Sequence, residues 1–181
     1  MQKYLALLRG INVGGNNKVE MLKLKNIFES LGFFNVVTYI NSGNVIFITA
    51  NKDIDALTRK IETTLKKKLG FEVKILLRSS DNVQLLVEKI PRKWKNDAEQ
   101  RTDVLFLWDE YDNKNTISLT QSNPDVDELR YFPGAIVWNL KRSNYSKTGM
   151  RKFIGTPVYK NMTARNINTV RKIADLMKSI P

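Results

Sequence analysis

Apolar periodicities follow one order along the first 78 residues: strand, helix, strand, strand, helix, strand. Residues 3–8 form a short apolar run suited to a buried strand. From Glu20 onward, Met21, Leu24, Ile27, Phe28 and Leu31 recur at helical spacing, and Gly32 ends that helix. Residues 36–40 and 44–48 are rich in β-formers, and Asn41-Ser42-Gly43 between them reads as a hairpin turn. Asp53 is placed to cap a second helix with Ile54, Leu57, Ile61 and Leu65 on one face. That helix runs out in Lys66-Lys67-Lys68, which suits the negative end of its dipole. Residues 71–77 supply the fourth strand. This order is that of the ferredoxin-like split βαβ arrangement.

The second half repeats the order less cleanly. Asp81 opens a linking helix through Val83, Leu86 and Val87, followed by a polar, proline-containing connection over 89–100. Residues 103–108 read as a strand, and 109–124 fit no single template. Residues 128–132 and 135–140 flank Pro133-Gly134 as a hairpin. Residues 146–154 read as a helix and 158–162 as a short strand. Asn166 then caps a last helix with Ile167, Val170, Ala174 and Met177 on one face. The expected fold class is α+β, with two ferredoxin-like (β-α-β-β-α-β) units side by side plus a C-terminal helix. The expected division is an N-terminal domain over 1–78, a linking helix and loop over 79–101, and a C-terminal domain with the terminal helix over 102–181.

The chain has no histidine and no cysteine among its 181 residues. Disulfides, thiolate metal sites, imidazole acid–base chemistry and Ser-His-Asp hydrolysis are thereby excluded within one chain. No cofactor or metal is expected, and the balance leans away from an enzyme. Asp109, Glu110 and Asp112 read as a solvated turn rather than a magnesium site. The first nine residues hold too short an apolar run for a signal-peptide core, and no run approaches the roughly 18 apolar residues of a membrane span. A cytoplasmic location is expected.

The net charge of +12 is unevenly placed. Residues 1–78 carry 13 basic and 6 acidic side chains, residues 79–140 carry 7 and 11, and residues 141–181 carry 10 and 1. Such a field concentrates anions, so nucleic acid or another anionic ligand is the expected partner.

In a split βαβ sheet the strand order is 4-1-3-2. The 10–17 loop, the 41–44 turn and the connection at 66–70 then meet at one edge. Glycine-rich loops can turn successive amides toward an anion, so Arg9, Asn12, Gly14, Gly15, Asn41, Ser42 and Asn44 are candidate ligand-binding residues. Gly10-x-x-x-Gly14-Gly15 is neither a Walker A loop nor a dinucleotide fingerprint. In the C-terminal half, Lys147 lies in a basic, hydroxyl-rich stretch, and Arg165, Asn166 and Asn168 lead into the last helix. A helix N-terminus with such neighbours suits an anion, while Asn166 also suits plain capping.

Three segments carry a family resemblance: Tyr4-Leu5-Ala6-Leu7-Leu8-Arg9-Gly10-Ile11-Asn12-Val13-Gly14-Gly15, Tyr39-Ile40-Asn41-Ser42-Gly43-Asn44-Val45, and Thr163-Ala164-Arg165-Asn166-Ile167-Asn168-Thr169-Val170. Together they resemble the bacterial family catalogued as domain of unknown function 1697. The resemblance implies two ferredoxin-like domains in a bacterial cytosolic protein, with these segments as hallmarks. It implies no activity.

Three functions are expected in this order. The first is a non-enzymatic module that binds nucleic acid or another polyanion through basic loops. The second is an enzyme or sensor for a small phosphorylated or carboxylated metabolite. The third is a protein-interaction scaffold.

Overall fold

The computed structural model describes residues 1–181 and contains two four-stranded antiparallel sheets. Two compact units divide the chain: Met1–Asp81 with Leu176–Pro181, and Asn82–Asp175. The 79–101 stretch is therefore not a separate linker. Its helix and loop belong mostly to the second unit, and the last residues of the chain belong to the first.

In the first unit, β1 (Gln2–Leu8), α1 (Met21–Ser30), β2 (Phe34–Tyr39), β3 (Asn44–Thr49), α2 (Ile54–Leu69) and β4 (Ile75–Ser79) follow the expected sequence. The sheet order is β2-β3-β1-β4, with every neighbour antiparallel. Leu24, Ile27 and Phe28 of α1 and Leu57, Ile61 and Leu65 of α2 share one core with Tyr4, Ala6, Leu8, Val45 and Phe47 of the sheet. Leu5, Leu7 and Ile46 are buried as well. Burial of both faces explains why β1 and β3 read as continuous apolar runs rather than as alternation.

Asp53 caps α2 by accepting from the Ala56 amide at 2.9 Å, and Gly70 closes it at φ 84°. Residues 66–69 are thus the last turn of α2 and not a loop. The connection that reaches the end of β1 is 70–74, through the Arg9 amide donating to the Lys74 carbonyl at 2.9 Å. Lys3 Nζ donates to the carbonyls of Met177 and Ile180, which ties the C-terminal residues to this unit.

The second unit holds most of α3 (Ser80–Lys89), then β5 (Gln100–Leu107), β6 (Asp127–Phe132), β7 (Ala135–Lys141), α4 (Met150–Phe153), α5 (Pro157–Lys160), β8 (Met162–Asn166) and the first turns of α6 (Ile167–Ser179). Its sheet order, β6-β7-β5-β8, is the order of the first sheet. Both units are of the ferredoxin-like type, but the crossovers of the second are reduced. Between β5 and β6 the chain makes only 3-10 turns, Asp109–Tyr111 and Lys114–Thr120. The side chains of Asn113, Thr116, Ser118 and Thr120 there bond to nearby backbone and compete with an α-helix.

The helix expected over 146–154 shrinks to the single turn of α4, because Thr148 and Gly149 are held by Asp127. Its Oδ1 accepts from the Thr148 hydroxyl, and its Oδ2 accepts from the amides of Gly149 at 2.9 Å and Asn123 at 2.8 Å. The strand expected over 158–162 is instead the helical turn α5, started by Pro157 and capped by Thr156. The real strand follows it, so Thr163 to Asn166 lie in β8 rather than in a loop. No helix is long and apolar enough to cross a membrane.

Candidate functional site

The strand order brings the two N-terminal segments together as expected. The Leu8 amide donates to the Gly43 carbonyl at 2.8 Å, and Asn12 Nδ2 donates to the Asn41 carbonyl at 2.9 Å. The side chains, however, are turned to internal work. Asn12, at φ 54°, exchanges bonds with Val19: Nδ2 to the Val19 carbonyl at 3.0 Å and the Val19 amide to Oδ1 at 2.8 Å. Asn44 is fully buried and donates to the Tyr39 carbonyl at 2.9 Å and to Ser42 Oγ at 3.0 Å.

The 10–17 loop is a miniature hairpin. Val13 bridges Asn16, and Gly14 and Gly15 take φ values of 59° and 82° between them, the geometry of a type I′ turn. Gly43 is glycine for a different reason. A Cβ there would lie 2.7 Å from Ile11 Cδ1 and 2.8 Å from Leu8 Cβ. Ile40 next to this turn has φ 48°, a strained position for a β-branched residue.

The C-terminal candidates lie in the second unit. Lys147 is exposed. Arg165 is 7% exposed and donates through Nη1 to Thr163 Oγ1 at 3.0 Å and to the Ala164 carbonyl at 2.8 Å. Asn166 caps α6 by accepting from the Thr169 amide at 2.9 Å. Asn168 Nδ2 donates to the Asn96 carbonyl at 2.8 Å.

That last bond leads to a feature that sequence reasoning missed. Residues 91–99 are polar, yet Trp94 in their midst is 1% exposed. Other side chains of the unit pin this loop by its backbone. Arg142 Nε donates to the Asp97 carbonyl, Thr102 Oγ1 to the Lys95 carbonyl at 2.6 Å, and Arg171 to the Pro91 carbonyl at 3.3 Å. The Asp97 carboxylate accepts from the amides of Gln100 and Glu99, each at 2.9 Å, and these two bonds hold its pKa below the usual carboxylate range.

A cavity of about 530 Å³ lies between the loop and the sheet. Lys93, Trp94, Ala98 and Glu99 line its loop side, and Gln100, Glu128, Asn139 and Lys141 its sheet side. The register explains this grouping. Gln100 pairs with Lys141, and Asn139 lies opposite both Glu128 and Thr102, so one end of β6, β7 and β5 turns its polar residues to one face. The visible signal in the sequence was a lone tryptophan among charges at 92–99.

A smaller cavity, about 250 Å³, is lined by Arg101, Asp103, Phe153 and Tyr159. Arg101 Nε meets Asp103 Oδ2 at 2.7 Å, and its Nη1 donates to the Tyr145 hydroxyl at 3.1 Å. Burial works against the Arg101 charge, but the Asp103 carboxylate and Tyr145 leave its pKa raised. No three carboxylates gather to hold a metal ion. Asp112, from the acidic cluster, accepts instead from the Tyr131 hydroxyl at 2.9 Å and the Gly134 amide at 2.8 Å.

Residues 1–138 match the family described as "Protein of unknown function (DUF1697)". The chain belongs to the DUF1697 family. The conserved bacterial protein SP0830 from Streptococcus pneumoniae has a similar structure, with a TM-score of 0.84 and 32% identity over 97% of this chain and 98% of that one. No curated protein matches. The DUF1697 match takes in both N-terminal hallmark segments and stops just before Asn139, Lys141 and the third segment.

Proposed function

We propose that the protein is a non-enzymatic module that binds nucleic acid or another polyanion through basic residues of its second unit. One observation supports this reading most. Residues 141–160 contain no acid, and Lys141, Arg142, Lys147, Arg151, Lys152 and Lys160 are all exposed. Arg142 is occupied in holding the 91–99 loop. The other five form no ion pair. Exposed cations without internal partners gain most from phosphate contacts, because binding releases condensed counterions.

The metabolite reading is the weaker one. A small anion at the 10–17 and 41–44 loops would meet Asn12 and Asn44 with their side-chain donors committed internally.

Binding to mixed single- and double-stranded RNA and DNA over a series of salt concentrations tests the proposal. The expected result is binding whose logarithm falls linearly with the logarithm of salt, at about 0.7–0.9 per phosphate contacted. Absence of binding at low salt sinks the reading.

A further inference from the structure

We infer that the cavity beneath the 91–99 loop takes the polar edge of a planar heterocycle, a nucleobase or a lactam, read by the amides of Asn139 and Gln100. This goes beyond the phosphate reading and does not need it, since an uncharged base is recognised by amides.

Thr102 sets the orientation of both amides. Its hydroxyl proton is committed to the Lys95 carbonyl at 2.6 Å. Its oxygen can therefore only accept from Asn139, and it does so from Nδ2 at 2.7 Å. The second proton of Nδ2 goes to Gln100 Oε1 at 3.2 Å. Both amides are thereby fixed in orientation, each by its neighbour. Asn139 Oδ1 is left as an acceptor and Gln100 Nε2 as a donor, on two hydrogen-bonded amides that line the cavity. Neither has a partner within the protein, and neither is sealed from solvent.

Asn139 is 9% exposed, so this pair is built into the sheet and not a pair of loose surface amides. A ligand that offers a donor beside an acceptor satisfies both at once, and such an edge is what a nucleobase or lactam presents.

Trp94 forms part of the loop side of the same cavity, with the Arg130 guanidinium 5.0 Å from its ring centroid. The volume, about 530 Å³, is of the size that holds small molecules.

The test uses the full chain and four uncharged probes, uridine, guanosine, adenosine and cytidine, in calorimetric titrations. If the base is taken free, at least one should bind, and its affinity should be insensitive to salt. Gln100→Glu keeps the acceptor that Asn139 uses but replaces the Nε2 donor with a carboxylate oxygen. It should weaken binding at least about tenfold with an unchanged melting temperature. On the ligand side, methylation of the bound base at its edge N–H or amino group should do the same in the wild-type protein, whether or not the variant folds.

A short unstructured oligonucleotide separates the two sources of a base. If only the oligonucleotide binds, and Gln100→Glu weakens it tenfold, the base comes from a strand. If neither a nucleoside nor the oligonucleotide binds, or if binding survives both Gln100→Glu and the methyl block, the inference is wrong. Salt-dependent polyanion binding stands or falls separately, because the nucleosides carry no phosphate.

Discussion

Asn12 Nδ2 reaches across 29 residues of sequence to the Asn41 carbonyl at 2.9 Å, locking the 10–17 loop to the 41–44 turn. The same side chain clasps the backbone of Val19 from both sides. The 10–17 loop and the 41–44 turn are thus one mechanical unit.

Replacement of Asn12 by alanine should therefore be a stability lesion. Three hydrogen bonds are lost at about 1 kcal/mol each, and alanine tolerates φ 54° less well than asparagine. The expected loss is about 2–4 kcal/mol of unfolding free energy, read by denaturant titration. Nucleic-acid affinity of the folded variant should be unchanged. A drop in affinity without a drop in stability would return Asn12 to the list of ligand-binding residues.

Gly43→Ala and Gly14→Ala should separate two uses of glycine. Both positions have positive φ, but a Cβ at Gly14 meets nothing within 4 Å, whereas at Gly43 it meets Ile11 and Leu8 below 3 Å. Gly14→Ala should cost about 1–2 kcal/mol from conformation alone. Gly43→Ala should cost about 1–3 kcal/mol more from overpacking. Equal melting temperatures for the two variants would refute the close approach.

Asp127 should be the most sensitive carboxylate of the second unit. Asp127→Ala strands the donors of Asn123, Thr148 and Gly149, at about 3 kcal/mol or more in total. Asp127→Asn keeps an acceptor for the two amides and should lose about half as much. A second lesion should map to the same junction: a Cβ on Gly149 would sit 2.1 Å from the Gln121 carbonyl oxygen.

Arg151→Gln with Lys152→Gln should leave stability within about 0.5 kcal/mol, since both are exposed and unpaired. If both contact phosphate, the slope of log affinity against log salt should fall by about one unit per residue removed. An unchanged slope would move the polyanion surface elsewhere.

Acid should loosen the 91–99 loop. The folded pKa of Asp97 is depressed by the amides of Gln100 and Glu99. Its contribution is therefore complete above the unfolded carboxylate pKa and is lost as pH falls through the lower, folded value. The protection of the Glu99 and Gln100 amides against hydrogen exchange, relative to their intrinsic rates at each pH, should fall there, and Asp97→Asn should shift that pH dependence.

The alternation of periods along residues 1–78 carried the topology of the first unit, down to the capping of α2 by Asp53 and the strand order. Local signals suffice there because each helix buries one stripe against one sheet face, and each turn uses residues with the required φ. The second unit was less legible. Residues 109–120 form 3-10 turns through side-chain bonds to the backbone, and the helix over 146–154 gives way because Asp127, some 20 residues earlier in sequence, captures Thr148 and Gly149.

Side-chain purpose was the least legible of all. Asn12, Asn44 and Asn168 are residue types that suit an anion site, but only the tertiary structure shows their donors occupied by backbone carbonyls. Conversely, Gln100 and Asn139 lie 39 residues apart with no motif around either. The register of β5 against β7 makes them neighbours, and one hydroxyl proton on Thr102 decides which way both amides point. Sequence patterns report where a segment sits. Long-range hydrogen bonding decides which polar groups remain open to a ligand, because each donor can be spent once.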